Sequence, residues 1–224
     1  MNLTYYPLAP FEIKQNRCTV IQCANPRSYT DLINGLRDLS DKVVLTDAEH
    51  NRVEISKGIC WIGDCFQSPE ISKVFQTGIE KKIVKNVGSE RLSQFIQIDQ
   101  QLKSLVMDEL LTYDLPLTVD AEFSLSKLLK TTTISFVSDL KTQPYDIIET
   151  VLKCASDLDE RGILVLTNVH QYLSVSQFQE LVRLIETLDL YTLLIEFSEL
   201  KSDDYFANCQ YYYIDQDFVD WRAE

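Results

Sequence analysis

With 224 residues, a 45% hydrophobic share and only six Gly and six Pro, the chain can bury a sizeable core, which excludes a low-complexity or disordered protein. Its opening, MNLTYYPLAPFEI, lacks the basic start and apolar run of a secretory signal, and no apolar stretch reaches bilayer length, so a soluble, cytoplasmic protein is expected. The formal charge of −13 is unevenly spread: residues 1–141 hold 16 basic and 18 acidic side chains and residues 142–224 hold 5 and 16, so a nucleic-acid surface would have to lie in the first two thirds.

Residues 1–23 contain two strand candidates, Tyr5–Ile13 and Cys18–Cys23, joined by a polar turn over 14–17. The sequence ANPRS follows, and then an amphipathic helix over 29–39 with Leu32, Ile33, Leu36 and Leu39 on one side. A strand, tight turn and helix is where a nucleotide-binding protein carries its phosphate loop. That loop needs glycines, so that backbone amides can wrap the phosphates, and a Lys–Ser/Thr pair for charge and Mg²⁺. Residues 24–29 offer neither Gly nor Lys.

Residues 41–55 read as a hairpin of VVLT and RVEI with its turn at 49–51, and GICWIG (58–63) as a buried strand. Helical spacing then dominates for some seventy residues. One helix spans 71–87 with the basic run Lys81, Lys82, Lys85; Gly88-Ser89 interrupts it, with Ser89 as cap of the next. That helix runs from 90 to about 112 on a stripe including Leu92, Phe95, Ile96, Leu102, Leu105, Val106 and Leu110, and Asp114-Leu-Pro116 stops it. A short helix, 122–130, ends in Lys127 and Lys130.

The last third repeats helix, strand, helix, strand. Helix 144–158 leads to Gly162 and the apolar run Ile163–Leu166, which ends at Thr167-Asn168. Ser174 and Gln177 form a capping box for helix 175–188, and Leu193–Phe197 is the next strand. Short joints between these elements predict a parallel α/β core. Residues 201–208 read as a loop or short helix, residues 211–214 as an aromatic strand before the tail with Trp221. The expected organisation is an α/β head, residues 1–67 and 142–224, with an inserted all-helical lobe, residues 68–141.

Several residue sets invite a chemical reading. ILVLTN (163–168) stands where a P-loop ATPase keeps the strand and Asp that organise Mg²⁺ and water, but Asn168 is a poorer metal partner and cannot act as a base; an ordinary buried strand is the plainer account. His170 has no nucleophile assignable to it and reads as structural or surface, and His50 as a solvated turn residue. Asp108, Glu109, Asp114, Asp120 and Glu122 gather hard oxygen ligands around a helix end, either for Ca²⁺ or as a solvated acidic surface, without an EF-hand pattern. The six cysteines, with two histidines and wide spacing, suit buried thiols better than zinc. The lysines of the helical lobe would meet phosphates and not bases, which gives salt-sensitive, sequence-blind binding.

The opening MNL, the helical middle, GILVLTNVHQYLS after a helix, LLIEF followed by SEL, and the terminal YYYIDQDF together resemble the CRISPR-associated adaptation family of type II-A systems, the Csn-two family. The resemblance implies a head degenerate from P-loop ATPases, with a mainly parallel sheet, plus the helical lobe. It implies a ring-shaped homotetramer that binds Ca²⁺, threads onto the ends of double-stranded DNA, and acts without catalysis in spacer acquisition. Its partners would be the CRISPR integrase complex and the RNA-guided effector nuclease. On the resemblance, the Ca²⁺ ligands map to Asp114, Asp120 and Glu122, with Glu109 nearby, and the DNA-facing lysines to Lys127, Lys130 and Lys141, then Lys81, Lys82 and Lys85. A metal-dependent nuclease, a cryptic NTPase or an acidic docking module for a basic partner is the alternative.

Overall fold

In the computed structural model, which describes residues 1–66, 71–132, 134 and 143–222, the run Ile163–Thr167 is a strand with every residue buried. Such a run has water on neither face, as a strand covered by elements on both sides requires. The chain divides into two compact units, Met1–Val74 with Phe136–Glu224, and Phe75–Ser135.

Among the described residues the larger unit holds ten strands: β1 (Asn2–Tyr5), β2 (Phe11–Glu12), β3 (Arg17–Cys23), β4 (Val43–Thr46), β5 (Arg52–Val53), β6 (Ile59–Gly63), β7 (Ile163–Thr167), β8 (Tyr191–Phe197), β9 (Gln210–Ile214) and β10 (Asp220–Arg222). Six form one sheet in the order β10-β9-β3-β8-β7-β6. Its five strands from β9 to β6 run parallel, and β10 closes one edge antiparallel. The other four make a small antiparallel sheet, β2-β1-β4-β5. The fold is thus mixed α/β around a mainly parallel sheet.

The N-terminal segment departs from the expected single strand over 5–13. The chain turns after Tyr5, and β2 folds back on β1 through Leu3↔Phe11, while β1 pairs along its whole length with β4. The alternation of Leu3, Tyr5, Val43 and Leu45 places one face of this sheet in the core. Those side chains join Ile21, Cys23, Ile163, Val165, Leu193 and Ile195 from one face of the large sheet, with Leu32 and Leu36 between them.

Helix α1 (Pro26–Leu36) starts earlier than its apolar spacing suggests, because Pro26 sits at its first turn and Asn25 caps it. It lies so close to β4 that a methyl group at Gly35 would collide with Val43. A four-residue helix, α2 (Ile55–Gly58), precedes β6. On α6 (Pro144–Asp157), Ile148, Val151, Leu152 and Ala155 are buried; on α7 (Val175–Thr187), Phe178, Leu181, Val182 and Ile185 are buried. The two helices touch each other, and α7 reaches β3. Both halves of the Ser174–Gln177 capping box are formed. The stretch 201–208 is turn structure, not a helix.

The helical unit contains α4 (Ser89–Leu110), α5 (Leu125–Leu129) and most of α3 (Ile71–Asn86). Gly88, not Ser89, caps α4; Ser89 is already helical, and its carbonyl accepts from the Ser93 hydroxyl. The third helix is shorter than expected, since Ser124 caps it by accepting from the Lys127 amide. No residue of α4 is buried. Among the described residues, no helix is long and apolar enough to cross a membrane.

Candidate functional site

In open α/β sheets ligands collect beyond the carboxyl ends of the parallel strands. Here that region is formed by the end of β3 with the start of α1, the turn after β7, and the end of β8. Because β8 lies between β3 and β7, all three turns converge.

The turn after β3 is committed to the chain's own bonds. Ala24 donates its amide to the Ile214 carbonyl, Pro26 has no amide, and the Arg27 amide is capped by Asn25 Oδ1 at 2.8 Å. The Tyr29 amide bonds the Asn25 carbonyl, and Asn25 Nδ2 donates to the Gln216 carbonyl. A phosphate cradle needs these amides free and convergent. This turn spends them on holding α1 and β9.

The turn after β7 is equally specific. Asn168 adopts a left-handed conformation, φ 55°, which Asn tolerates better than most residues. Its Nδ2 donates to the Tyr29 hydroxyl at 2.9 Å, so the helix after β3 and the turn after β7 are tied directly. The Tyr29 ring also packs against Phe197, 5.5 Å between centroids. The amide at the Mg²⁺-organising position thus carries a tyrosine.

Beside it lies a buried acid that sequence inspection passed over. Glu196 on β8 is fully buried, with Oε1 accepting the Val169 amide at 3.0 Å and Oε2 sitting 2.5 Å from His170 Nδ1. Burial pushes the Glu196 carboxyl above its ordinary value, against the opposing pull of His170 and the backbone amides. His170 follows Asn168 in a short 3₁₀ turn, Val169–Gln171, and is flanked by Tyr205 and Phe206. It thus partners the buried carboxyl group of Glu196. The signal was present in Leu193-Leu-Ile-Glu-Phe197, because a charge inside an apolar strand demands a partner. Asp64, after β6, accepts from the Tyr172 hydroxyl at 2.7 Å and ties a further strand end to this cluster.

The lysines of interest lie in the helical unit. Lys81, Lys82 and Lys85 are exposed within one turn and a residue of α3. Lys127 falls on the last turn of α5 and Lys130 is its cap, both exposed. Lys141 lies outside the described residues. Lys127 stands 3.9 Å from Asp120, a solvated pair of negligible energy. Lys103 is more firmly held, by Asp99 one turn earlier and by the Glu122 carbonyl, each at 2.7 Å.

The four carboxylates expected for calcium are all exposed. Glu109 ends α4, Asp114 and Asp120 lie on the following loop, and Asp120 Oδ1 accepts the Glu122 amide at 3.0 Å. Among the described residues, no group of three or more His, Cys, Asp or Glu is placed to hold a metal. Among the described residues these four side chains therefore form no three-carboxylate cage, because they follow a loop instead of converging. The six cysteines form no disulfide; burial drives the Cys60 and Cys65 thiols up to about 12.

Comparison with known proteins agrees with this architecture. A model of a family described as CRISPR-associated protein (Cas_Csn2) matches residues 52–218. No curated protein sequence matches. Among solved structures, Stu0660 of Streptococcus thermophilus superposes with a TM-score of 0.63 at 11% identity, over 100% of this chain and 76% of that one. The ADP conformation of MJ1267, an ATP-binding cassette of an ABC transporter, gives 0.50 at 11% identity, over 96% of this chain and 84% of that one. At such identities the two structures speak to fold alone, whereas the family match spans most of the sequence: the chain belongs to the CRISPR-associated Csn2 family.

Proposed function

We propose that this chain is a non-catalytic scaffold of CRISPR spacer acquisition that binds double-stranded DNA, through its ends and without regard to sequence. The carrying observation is the closed strand-end site. Asn25, Pro26, Tyr29 and Asn168 occupy the places where a nucleoside triphosphatase keeps free amides, a lysine and a carboxylate. The head is on this reading a degenerate P-loop fold that keeps the sheet order and gives up phosphate chemistry.

DNA contact falls to the lysines of the helical unit, Lys127 and Lys130 first, then Lys81, Lys82 and Lys85, together with Lys141. Lysines exposed at a helix surface can neutralise phosphates at little cost. The acidity of residues 142–224 points to the same division, since that region would repel a duplex. A homotetrameric ring in the cytoplasm, working with the integrase complex and the RNA-guided effector nuclease, completes the reading. Exposed Ile98, Leu102, Leu105 and Val106 on one side of α4 support self-assembly. Calcium, if taken up, would draw on carbonyls, water or a second copy beside Asp114, Asp120, Glu122 and Glu109.

The test is a gel shift of linear against covalently closed circular duplex of equal length, with and without Ca²⁺. Binding of linear DNA alone is expected; equal binding of both would replace the ring by an open basic groove. In the variant Lys127→Glu/Lys130→Glu, the slope of log affinity against log salt should fall by about two per chain engaged, with the assembly unchanged by light scattering. Phosphate release from ATP, or shortening of DNA with Mg²⁺, would instead establish an NTPase or a nuclease.

A further inference from the structure

A pocket of about 660 Å³ lies within the larger unit, between the end of β1, the first half of α1, the loop leading into β4 and the turn before β10. That volume is in the range of small-molecule sites and exceeds what one nucleotide needs. Its aromatic side is Tyr5, Tyr6 and Phe218. Tyr5 is buried, and Phe218 meets it edge-on at 5.3 Å. Tyr6 is different: its side chain is 86% exposed, an aromatic ring left in water at the pocket.

The charges of the pocket are not balanced by their own contacts. Both oxygens of Asp31 are engaged, one by the Tyr5 hydroxyl at 2.9 Å and one by Lys42 Nζ at 2.7 Å. Arg27, one helical turn before Asp31, feels the same carboxylate, yet its guanidinium makes no hydrogen bond or ion pair among the described residues. Two cations thus share one occupied carboxylate. Asp41, on the loop before β4, is the remaining charge among the lining residues.

An exposed aromatic face and an unspent guanidinium lining one pocket suit one ligand chemistry above others. The flat ring stacks a base of any identity, and the planar fork of Arg takes a phosphate through two parallel bonds. Asp41 supplies an acceptor for an exocyclic amine. We propose that this pocket binds a nucleoside 5′-phosphate, free or as the terminal nucleotide of a strand, with the base on Tyr6 and the phosphate on Arg27. The site adjoins the closed strand end after β3, sharing Asn25 and Arg27 with it, but it uses side chains and needs none of the amides committed there. It also uses none of the lysines of the helical unit.

The test is calorimetric titration of the full chain with adenosine 5′-monophosphate, with adenosine as control, for the wild type, Tyr6→Ala and Arg27→Ala. Saturable binding is expected for the nucleotide, weakened at least about fivefold by each substitution and by loss of the phosphate. Both side chains are exposed, so the thermal melt of the variants should match the wild type. No saturable uptake, or uptake unchanged in both variants, overturns the proposal. A single-stranded oligonucleotide bearing a 5′-phosphate identifies the source: competition where the 5′-hydroxyl form fails to compete marks a strand end as the ligand. Binding of the monophosphate without such competition marks the free nucleotide, and the site stands in either case.

Discussion

Strand β8 and helix α4 are both rich in apolar side chains, and they meet opposite fates. From Thr192 to Ile195 β8 is fully buried, between β3 and β7; α4, three times as long, has no fully buried residue. The difference is one of supply. A central strand obtains two hydrogen-bonded neighbours and two covered faces from its own chain, whereas a long helix with a narrow stripe finds within its small unit too few elements to cover it. Apolar content alone therefore does not say where stability resides.

The sharpest test of that contrast is in the sheet. Leu193→Ala should cost about 2–5 kcal/mol in urea unfolding followed by circular dichroism, since a void there is bounded by packed strands. A cost below about 1 kcal/mol would mean that the sheet relaxes freely, against the close packing of its register. Next in size is the acid inside the same strand. Glu196→Ala strands the Val169 amide and His170 and should cost about 1–3 kcal/mol. Glu196→Gln probes the charge itself. Burial raises the folded-state pKa of Glu196, so the folded chain holds the proton to higher pH than the unfolded one. The stability from this group is full below the unfolded value and is lost as pH rises through the folded value. Unfolding measured from about pH 4 to about pH 7 should show that loss in the wild type and a flatter profile in the glutamine variant. An identical profile would show that His170 fully compensates the charge.

Smaller effects lie further out. Ser174→Ala removes a cap from α7 and should cost about 1 kcal/mol by thermal melting, with partial recovery in Ser174→Asp. Leu105→Ser, on the uncovered side of α4, should change stability by no more than about 0.5 kcal/mol. A large loss at Leu105 would erase the distinction drawn between strand and helix.

The parallel core was legible because its signals are local and redundant. An unbroken apolar run between Gly162 and Asn168 admits few environments, and Ser174 with Gln177 marks a helix start within four residues. What escaped was set by partners distant in sequence. The break after Tyr5 follows from β1 pairing with β4, some forty residues on, which no pattern within residues 1–13 encodes. Ser89 looks like a cap by residue type, yet Gly88 takes the position. At the strand ends, the missing Gly and Lys at 24–29 and the neutral amide at 168 were visible. The means of closure, Tyr29 to Asn168 and Glu196 to His170, were not, since each joins residues on elements far apart in sequence.

Strand order also fixes a sequence of events in time. β3 has only β8 and β9 as neighbours, and its first residue, Arg17, pairs with Tyr191. During synthesis the middle strand of this sheet is therefore made early and waits, without a lateral partner, until most of the chain has followed. Residues 75–135 draw on contacts among themselves and can close in the interval. A nascent chain carrying an idle, strongly apolar strand for that long is the form of this protein most exposed to misassembly, and the step that ends the exposure is the arrival of β8.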